Sequence, residues 1–253
     1  MAYPPAIGRF CEPDEKDRKK GIVIVCEHAS NVFPDDFGCL GLTDDQRRAH
    51  IAWDPGALGV ARTMARELQG VLVSGRVSRL IYDCNRPPEA PSAFPDRSEI
   101  FDIPGNANLG ADEKLRRVQQ VYEPFREGLS EVLNSFEEAV IITVHSFTPV
   151  YHGKQRACEI GILHDADTRL ADQLLEGWPD DAPLRATRND PYGPEDGVTH
   201  TLKEHGISRG WRNVMLEIRN DLIGTSHLQD QVGQLLAARV SEALLAEKES
   251  MNG

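Results

Sequence analysis

Three short apolar runs of the chain end in side chains that can move protons or hold a metal ion. GIVIVC (21–26) passes into Glu27-His28, AVIITV (139–144) into His145-Ser146, and NVMLEI (213–218) contains Glu217 just before Arg219. If the runs are parallel strands of an open α/β sheet, their carboxyl ends share the edge at which such sheets bind ligands. Histidines at strand ends, a carboxylate heading a helix and a separate glutamate are the parts of a catalytic zinc site. Such a site needs three protein ligands, an open position for water and a base beside that water. Each residue alone has a plainer reading: a structural histidine, a glutamate paired with Arg219, or, for Asp54 ahead of PGAL, a helix N-cap.

The elements that would position these groups follow from periodicity. Residues 21–26, 71–75, 79–83, 139–144, 158–163 and 213–218 read as strands, several apolar on both faces. Helices are expected from Thr43 to about Ala52, from Asp54 to Gly70, over 110–136 with a bend at Pro124, from Asp165 to about Glu176, near 195–205, and from Ser226 to Lys248. In the second of these Leu58, Ala61, Met64, Ala65 and Leu68 form one stripe. Strands alternating with helices predict an α/β fold in three α/β/α layers around a mostly parallel mixed sheet. One hydrolytic domain is expected over 1–253, with 1–20 a flexible extension. Residues 85–110, rich in Pro, Asn and Asp, carry no helix or strand period, as functional loops often do.

Bulk composition narrows the function. A net charge of −12 argues against nucleic acid or an anionic membrane as partner, since both need clustered Lys and Arg. The longest apolar runs are too short to span a bilayer, and the N-terminal stretch has no apolar core of the signal-peptide kind. The cysteines (Cys11, Cys26, Cys39, Cys84, Cys158) are odd in number and include no Cys-x-x-Cys pair, which disfavours a disulfide framework and a cysteine zinc site. A cytoplasmic protein is expected.

Read together, TVHSF and the later LEIRND resemble the zinc carboxypeptidases, in which a strand-end His-Ser supplies one metal ligand and a Glu-x-Arg strand supplies the general base. That family's other ligands come as His-x-x-Glu, but here His28-Ala-Ser-Asn31 lacks the glutamate. Asp54, again at a helix start, and Asn31 then compete as third ligand, and Asp54 is favoured because an anionic oxygen binds Zn²⁺ better than an amide oxygen. A closer resemblance, from about residue 20 to 235, is to the N-formylglutamate amidohydrolase family. It rests on VCEHASN, AWDPGA, SRLIYDCNRP, TVHSF and LEIRNDLI, in that order.

The resemblance implies a zinc exopeptidase-like hydrolase that cuts the formyl amide of N-formylglutamate, a step of histidine degradation. It implies one Zn²⁺ on His28, Asp54 and His145, with Glu217 as general base. The first motif, Glu-His-Ala-Ser where the enzymes of that step carry a Pro-His-Ser-Gly type, suggests a divergent branch. Arg79, Asn85, Arg86 and Arg97, around the long loop, with Ser146 and Arg219, are the expected substrate contacts. In so acidic a chain these arginines suggest a small anionic amide, whose carboxylate a guanidinium holds by two parallel hydrogen bonds. Asn85-Arg86 also resembles the carboxylate-binding pair of carboxypeptidases. The rival readings are a zinc carboxypeptidase or an amidase for another N-acyl amino acid or small peptide, and a non-catalytic binder of an acidic metabolite.

Overall fold

The structure is a computed structural model that describes residues 7–10 and 20–250. Its centre is a seven-stranded sheet built from β1 (Ile7–Phe10), β2 (Lys20–Cys26), β3 (Val71–Gly75), β4 (Glu138–Phe147), β5 (Ile160–Leu163), β6 (Ala186–Arg188) and β7 (Asn213–Arg219). The spatial order is β1-β3-β2-β4-β7-β5-β6. The four central strands β3, β2, β4 and β7 are parallel, β1 is antiparallel to β3, β5 antiparallel to β7, and β6 parallel to β5.

Side chains leave the sheet alternately, so the β-branched runs bury two cores at once. Val23, Val25, Val71, Val73 and Ile141 face one side, against Tyr122, Phe125 and Leu129. Ile24, Leu72, Ile142, Val144, Val214 and Leu216 face the other, against Val60, Met64, Leu236 and Val240. The first side is covered by α3 (Ala111–Arg117) and α4 (Glu123–Leu133). The second is covered by α2 (Ala57–Glu67), α5 (Arg169–Glu176) and α6 (Ser226–Ser250), completing the expected three layers. Truncating a fully buried residue such as Ile142 to alanine costs about 2–5 kcal/mol, which shows how firmly the central strands are held.

Several local expectations are corrected. Residues 79–83 form turns, not a strand: Leu80, Ile81 and Tyr82 are buried in the first core but pair with no strand. The first predicted helix is a short α1 (Asp44–Arg48), capped by Thr43 and followed by a 3-10 turn at His50–Ala52. Over 110–136 the helix widens into a π-turn at Val118–Tyr122 rather than bending sharply. Pro124 has no N–H to offer and its ring would meet the carbonyl four residues back. The segment near 195–205 is a 3-10 turn (Pro194–Asp196) and a π-turn (Leu202–Gly206). Of the expected flexible extension, Ile7–Phe10 instead pair with β3 and Lys20 opens β2, while 1–6 and 11–19 lie outside the described residues. The long loop carries only short pieces, among them a hairpin of Arg97–Ser98 with Phe101–Asp102. No helix among the described residues is long and apolar enough to cross a membrane.

Candidate metal centre

The parallel register assembles the site. Glu217 lies opposite His145 on adjacent strands, so both side chains leave the same face of the sheet at its carboxyl edge. β2 ends at Cys26, and the chain turns there to present Glu27 and His28. Asp54 is drawn to the same point by its backbone N–H, which donates to the His28 carbonyl at 2.9 Å. The chain then turns sharply into α2 through Gly56, whose φ of +83° suits glycine; a Cβ there would also lie 2.6 Å from the Ile223 carbonyl oxygen. Gly56 is the N-cap of α2, so Asp54 is not a helix cap.

Three donor atoms converge, all on buried residues that could hold a metal ion. His28 Nδ1 lies 3.2 Å from Asp54 Oδ2, His145 Nδ1 lies 3.0 Å from the same oxygen, and the two Nδ1 atoms are 3.1 Å apart. Tetrahedral zinc with bonds of ~2.0–2.1 Å places ligand atoms about 3.3 Å apart, so the triangle has the right size. The ring atoms facing away from it are matched by carboxylates. His28 Nε2 donates to Asp83 Oδ1 at 2.7 Å, and His145 Nε2 is 3.1 Å from Glu27 Oε2, though not in hydrogen-bond geometry. With a proton held on each Nε2, both Nδ1 atoms can give up the protons they direct at Asp54 and turn their lone pairs to a cation. Such a set of acceptors is stable only around a positive charge, and a carboxylate behind each histidine is the usual support of a metal-bound imidazole. Asn31, the rival ligand, donates its amide to the Arg47 carbonyl at 3.1 Å and takes no part.

The electrostatics agree with a cation-seeking group. Burial opposes ionisation of Asp54, yet the charge of His28 and hydrogen bonds from His145 and His28 hold its carboxyl well below the usual range. Burial works against a charged His145, but Glu27 and Asp54 outweigh it and push the imidazole upward. Asp83 is likewise buried, and Arg79 and His28 keep it ionised. Glu217 differs: burial, reinforced by the negative charge of Asp54, pushes it up to about 7 against the pull of His145, His28 and Arg79. Its Oε2 is buried without a hydrogen bond. A carboxyl poised near neutral pH beside such a triangle is suited to general acid–base work.

A cleft of about 180 Å³ opens over this group. Arg79, Asn85, Arg86 and Ser146 line it with His28, Asp54, His145 and Glu217. Arg79 is engaged by its neighbours, giving Asp83 a hydrogen bond at 2.6 Å and approaching Asp54 Oδ1 at 3.5 Å. Asn85 spends its amide on the Val198 carbonyl and the Thr201 N–H, so it braces the wall. Arg86 is anchored to the Asn85 carbonyl and the Ser92 hydroxyl. The Ser146 hydroxyl donates to the Pro55 carbonyl at 2.9 Å, which leaves it no nucleophile's role.

Two expected contacts are corrected. Arg97 is exposed and turned to Asp102 at 3.5 Å and the Glu99 carbonyl; it opens a hairpin of which Ser98 and Glu99, not Arg97, line the cleft. Arg219 does not line the cleft either. It ties β7 to the Arg156 carbonyl at 3.2 Å and to Asp221 at 2.8 Å. Lining residues that the sequence did not single out are His50, Glu99, Tyr151 and Tyr192. His50 Nδ1 is 3.7 Å from Asp54 Oδ1, and burial lowers the imidazole to about 4. Its position at i−4 from Asp54 was a readable signal; Tyr192, in an irregular segment, offered none.

Comparison with known proteins gives four findings. A family model described as N-formylglutamate amidohydrolase matches residues 20–224. The crystal structure of gene product Atu2144 from Agrobacterium tumefaciens is 48% identical and superposes with a TM-score of 0.91 over 97% of each chain. That of N-formylglutamate amidohydrolase from Ralstonia eutropha JMP134 is 18% identical, with a TM-score of 0.63 over 96% of this chain and 100% of the other, a likeness of fold. No curated protein matches this chain.

Proposed function

The chain belongs to the N-formylglutamate amidohydrolase family, and we propose that it is a zinc-dependent amidohydrolase that cleaves an N-formyl or other N-acyl acidic amino acid. The observation that carries this reading is the position of Glu217, opposite His145 in the sheet and lining the same cleft as the His28–Asp54–His145 triangle. His28, Asp54 and His145 would hold one zinc ion, which when bound supplies Lewis acidity toward the amide carbonyl and its attacking water.

The chain's own groups do the rest. Glu217 accepts a proton from the water that adds to the carbonyl carbon, then returns it to the nitrogen as the C–N bond breaks. The products are the free acid, formate for the formyl substrate, and the amino acid. Asp83 and Glu27 keep the imidazoles of His28 and His145 in the tautomer that faces the triangle. Arg79 keeps Asp83 ionised and neutralises part of the surrounding negative charge. Arg86, on the cleft wall, is the lining guanidinium nearest in role to the expected carboxylate clamp.

The test is a hydrolysis panel led by N-formyl-L-glutamate, with N-acetyl-L-glutamate and short glutamyl peptides, run on wild type and Glu217→Gln. Wild type is expected to hydrolyse the N-acyl glutamates, and the variant to keep its metal while losing roughly 10²–10⁴-fold in rate. Undiminished turnover in Glu217→Gln would remove the base assignment, and turnover confined to peptides would favour the carboxypeptidase reading.

A further inference from the structure

The arginines near the cleft divide by what already holds their charge. Arg79 is matched by Asp83 and Asp54, Arg97 by Asp102 and Arg219 by Asp221. Arg86 meets no carboxylate within ion-pair distance either, but is held by the Asn85 carbonyl and the Ser92 hydroxyl. Arg156 is left less complete: among the described residues no carboxylate lies within ion-pair distance of it, and its Nη1 is buried without a hydrogen-bond partner. A buried guanidinium nitrogen left unsatisfied is costly unless a ligand completes it.

Its surroundings are built to hold it still. The guanidinium carbon lies 4.4 Å from the centre of the Tyr151 ring, 4.9 Å from that of Tyr192 and 5.4 Å from that of Phe147. Three ring faces around one cation favour its charge without neutralising it. Arg219 grips the Arg156 carbonyl, so the clamp also fixes its backbone.

The remaining contact leads to the cleft. Arg156 Nη2 donates to the Tyr192 hydroxyl at 3.0 Å, and Tyr192 lines the cleft with Tyr151 and Glu217. Because the hydroxyl oxygen accepts from Arg156, its own proton is free to be donated elsewhere. Burial, with the Glu217 charge, pushes the Tyr192 phenol up to about 12, so it remains a donor at neutral pH. The segment carrying it comes close to β5 only because residue 161 is glycine: a Cβ there would lie 2.2 Å from the Asp190 carbonyl oxygen.

We propose that Tyr192, oriented and polarised from behind by Arg156, is a receptor for an anionic group of the substrate. It is a second such receptor beside Arg86, and it takes the role expected of Arg97 and Arg219. Two receptors in one cleft select an amide that carries two carboxylates. The inference rests on the reading of the cleft as a site for an anionic amide, which it deepens. Tyr192 touches the ligand; Arg156 is a positioning residue that acts through it.

The test is calorimetric titration of the zinc-loaded protein with L-glutamate, glutarate and acetate, in wild type, Tyr192→Phe, Arg156→Gln and the double variant. Tyr192→Phe keeps the ring in its stack and carries the test should Arg156→Gln fail to fold. Each single variant is expected to weaken dicarboxylate binding about tenfold, the scale of one hydrogen bond to a charged group. The double variant should be little worse than either, because the two residues act as one unit. Metal content should stay at the wild-type value. If wild type prefers glutarate to L-glutamate and the variants still lose it, the receptor stands and the glutamate reading falls. Unchanged affinities in Tyr192→Phe would overturn the receptor and leave that reading intact, and a wild type that binds none of the three carboxylates would overturn both.

Discussion

His28 and Asp54 are joined twice, once by their backbones and once by their side chains. The Asp54 N–H donates to the His28 carbonyl at 2.9 Å, and Asp54 Oδ2 stands 3.2 Å from His28 Nδ1. The chain between them, a separation of 26 positions, is thereby closed into a loop whose ends meet at the His28–Asp54–His145 triangle. A carboxylate far along the chain thus occupies the place that a His-x-x-Glu motif would fill from three residues away.

The carboxylates behind the histidines give the first prediction. Asp83→Asn and Glu27→Gln leave the three donor atoms in place but remove the charge that fixes each imidazole. Zinc affinity, measured by competition with a chromophoric chelator, should fall about 10–100-fold in each. Wild-type affinity in both variants would show that the triangle is held without them.

Arg97 supplies a control. Its side chain is exposed and directed to Asp102, so Arg97→Ala should change kcat/KM for the best substrate by less than about twofold. A large rise in KM would put Arg97 back among the substrate contacts.

Acid stability tests the packing behind the site. His205 is buried, and burial, with the nearby charge of Arg209, lowers its imidazole to about 3. The unfolded chain, with an ordinary histidine near 6.5, therefore binds the proton first as pH falls. The contribution of this residue is complete above about pH 6.5 and is lost progressively between there and about 3. From pH 8 to pH 5 the loss is about 2 kcal/mol. Urea unfolding of His205→Phe should show a pH dependence shallower by that amount; parallel curves would mean that His205 is not the titrating group.

Gly161 tests the close approach that sets Tyr192. Gly161→Ala forces a Cβ against the Asp190 carbonyl and the Leu163 side chain, at a cost of about 1–3 kcal/mol. Thermal unfolding should show the loss, and binding of L-glutamate should weaken with it. A variant as stable as wild type would mean that the segment yields freely.

Much of this site was legible because strand ends are legible. A β-branched run that stops at a histidine or glutamate reports both where the sheet ends and what stands there, so His28, His145 and Glu217 could be placed on one edge. Asp54 could be named only through the resemblance, since its residue type alone also suits a helix cap. The substrate contacts were harder. Arg97 and Arg219 look like anion receptors in sequence, but each has an aspartate within five residues that takes its charge. Arg156 and Tyr192 are 36 residues apart and meet only through the fold, so no spacing announces them. The turn at 79–83 was misread for a related reason. Its apolar residues are buried against the core from a loop, and burial alone does not make a strand.

The central claim is that His28, Asp54 and His145 hold the metal ion beside Glu217. Metal content by mass spectrometry on tag-free protein tests it most directly, with wild type compared with Asp54→Ala and Asn31→Ala. The account predicts one zinc per chain in wild type and Asn31→Ala, and its loss in Asp54→Ala. Zinc retained in Asp54→Ala, or none in wild type after incubation with the metal, would contradict it.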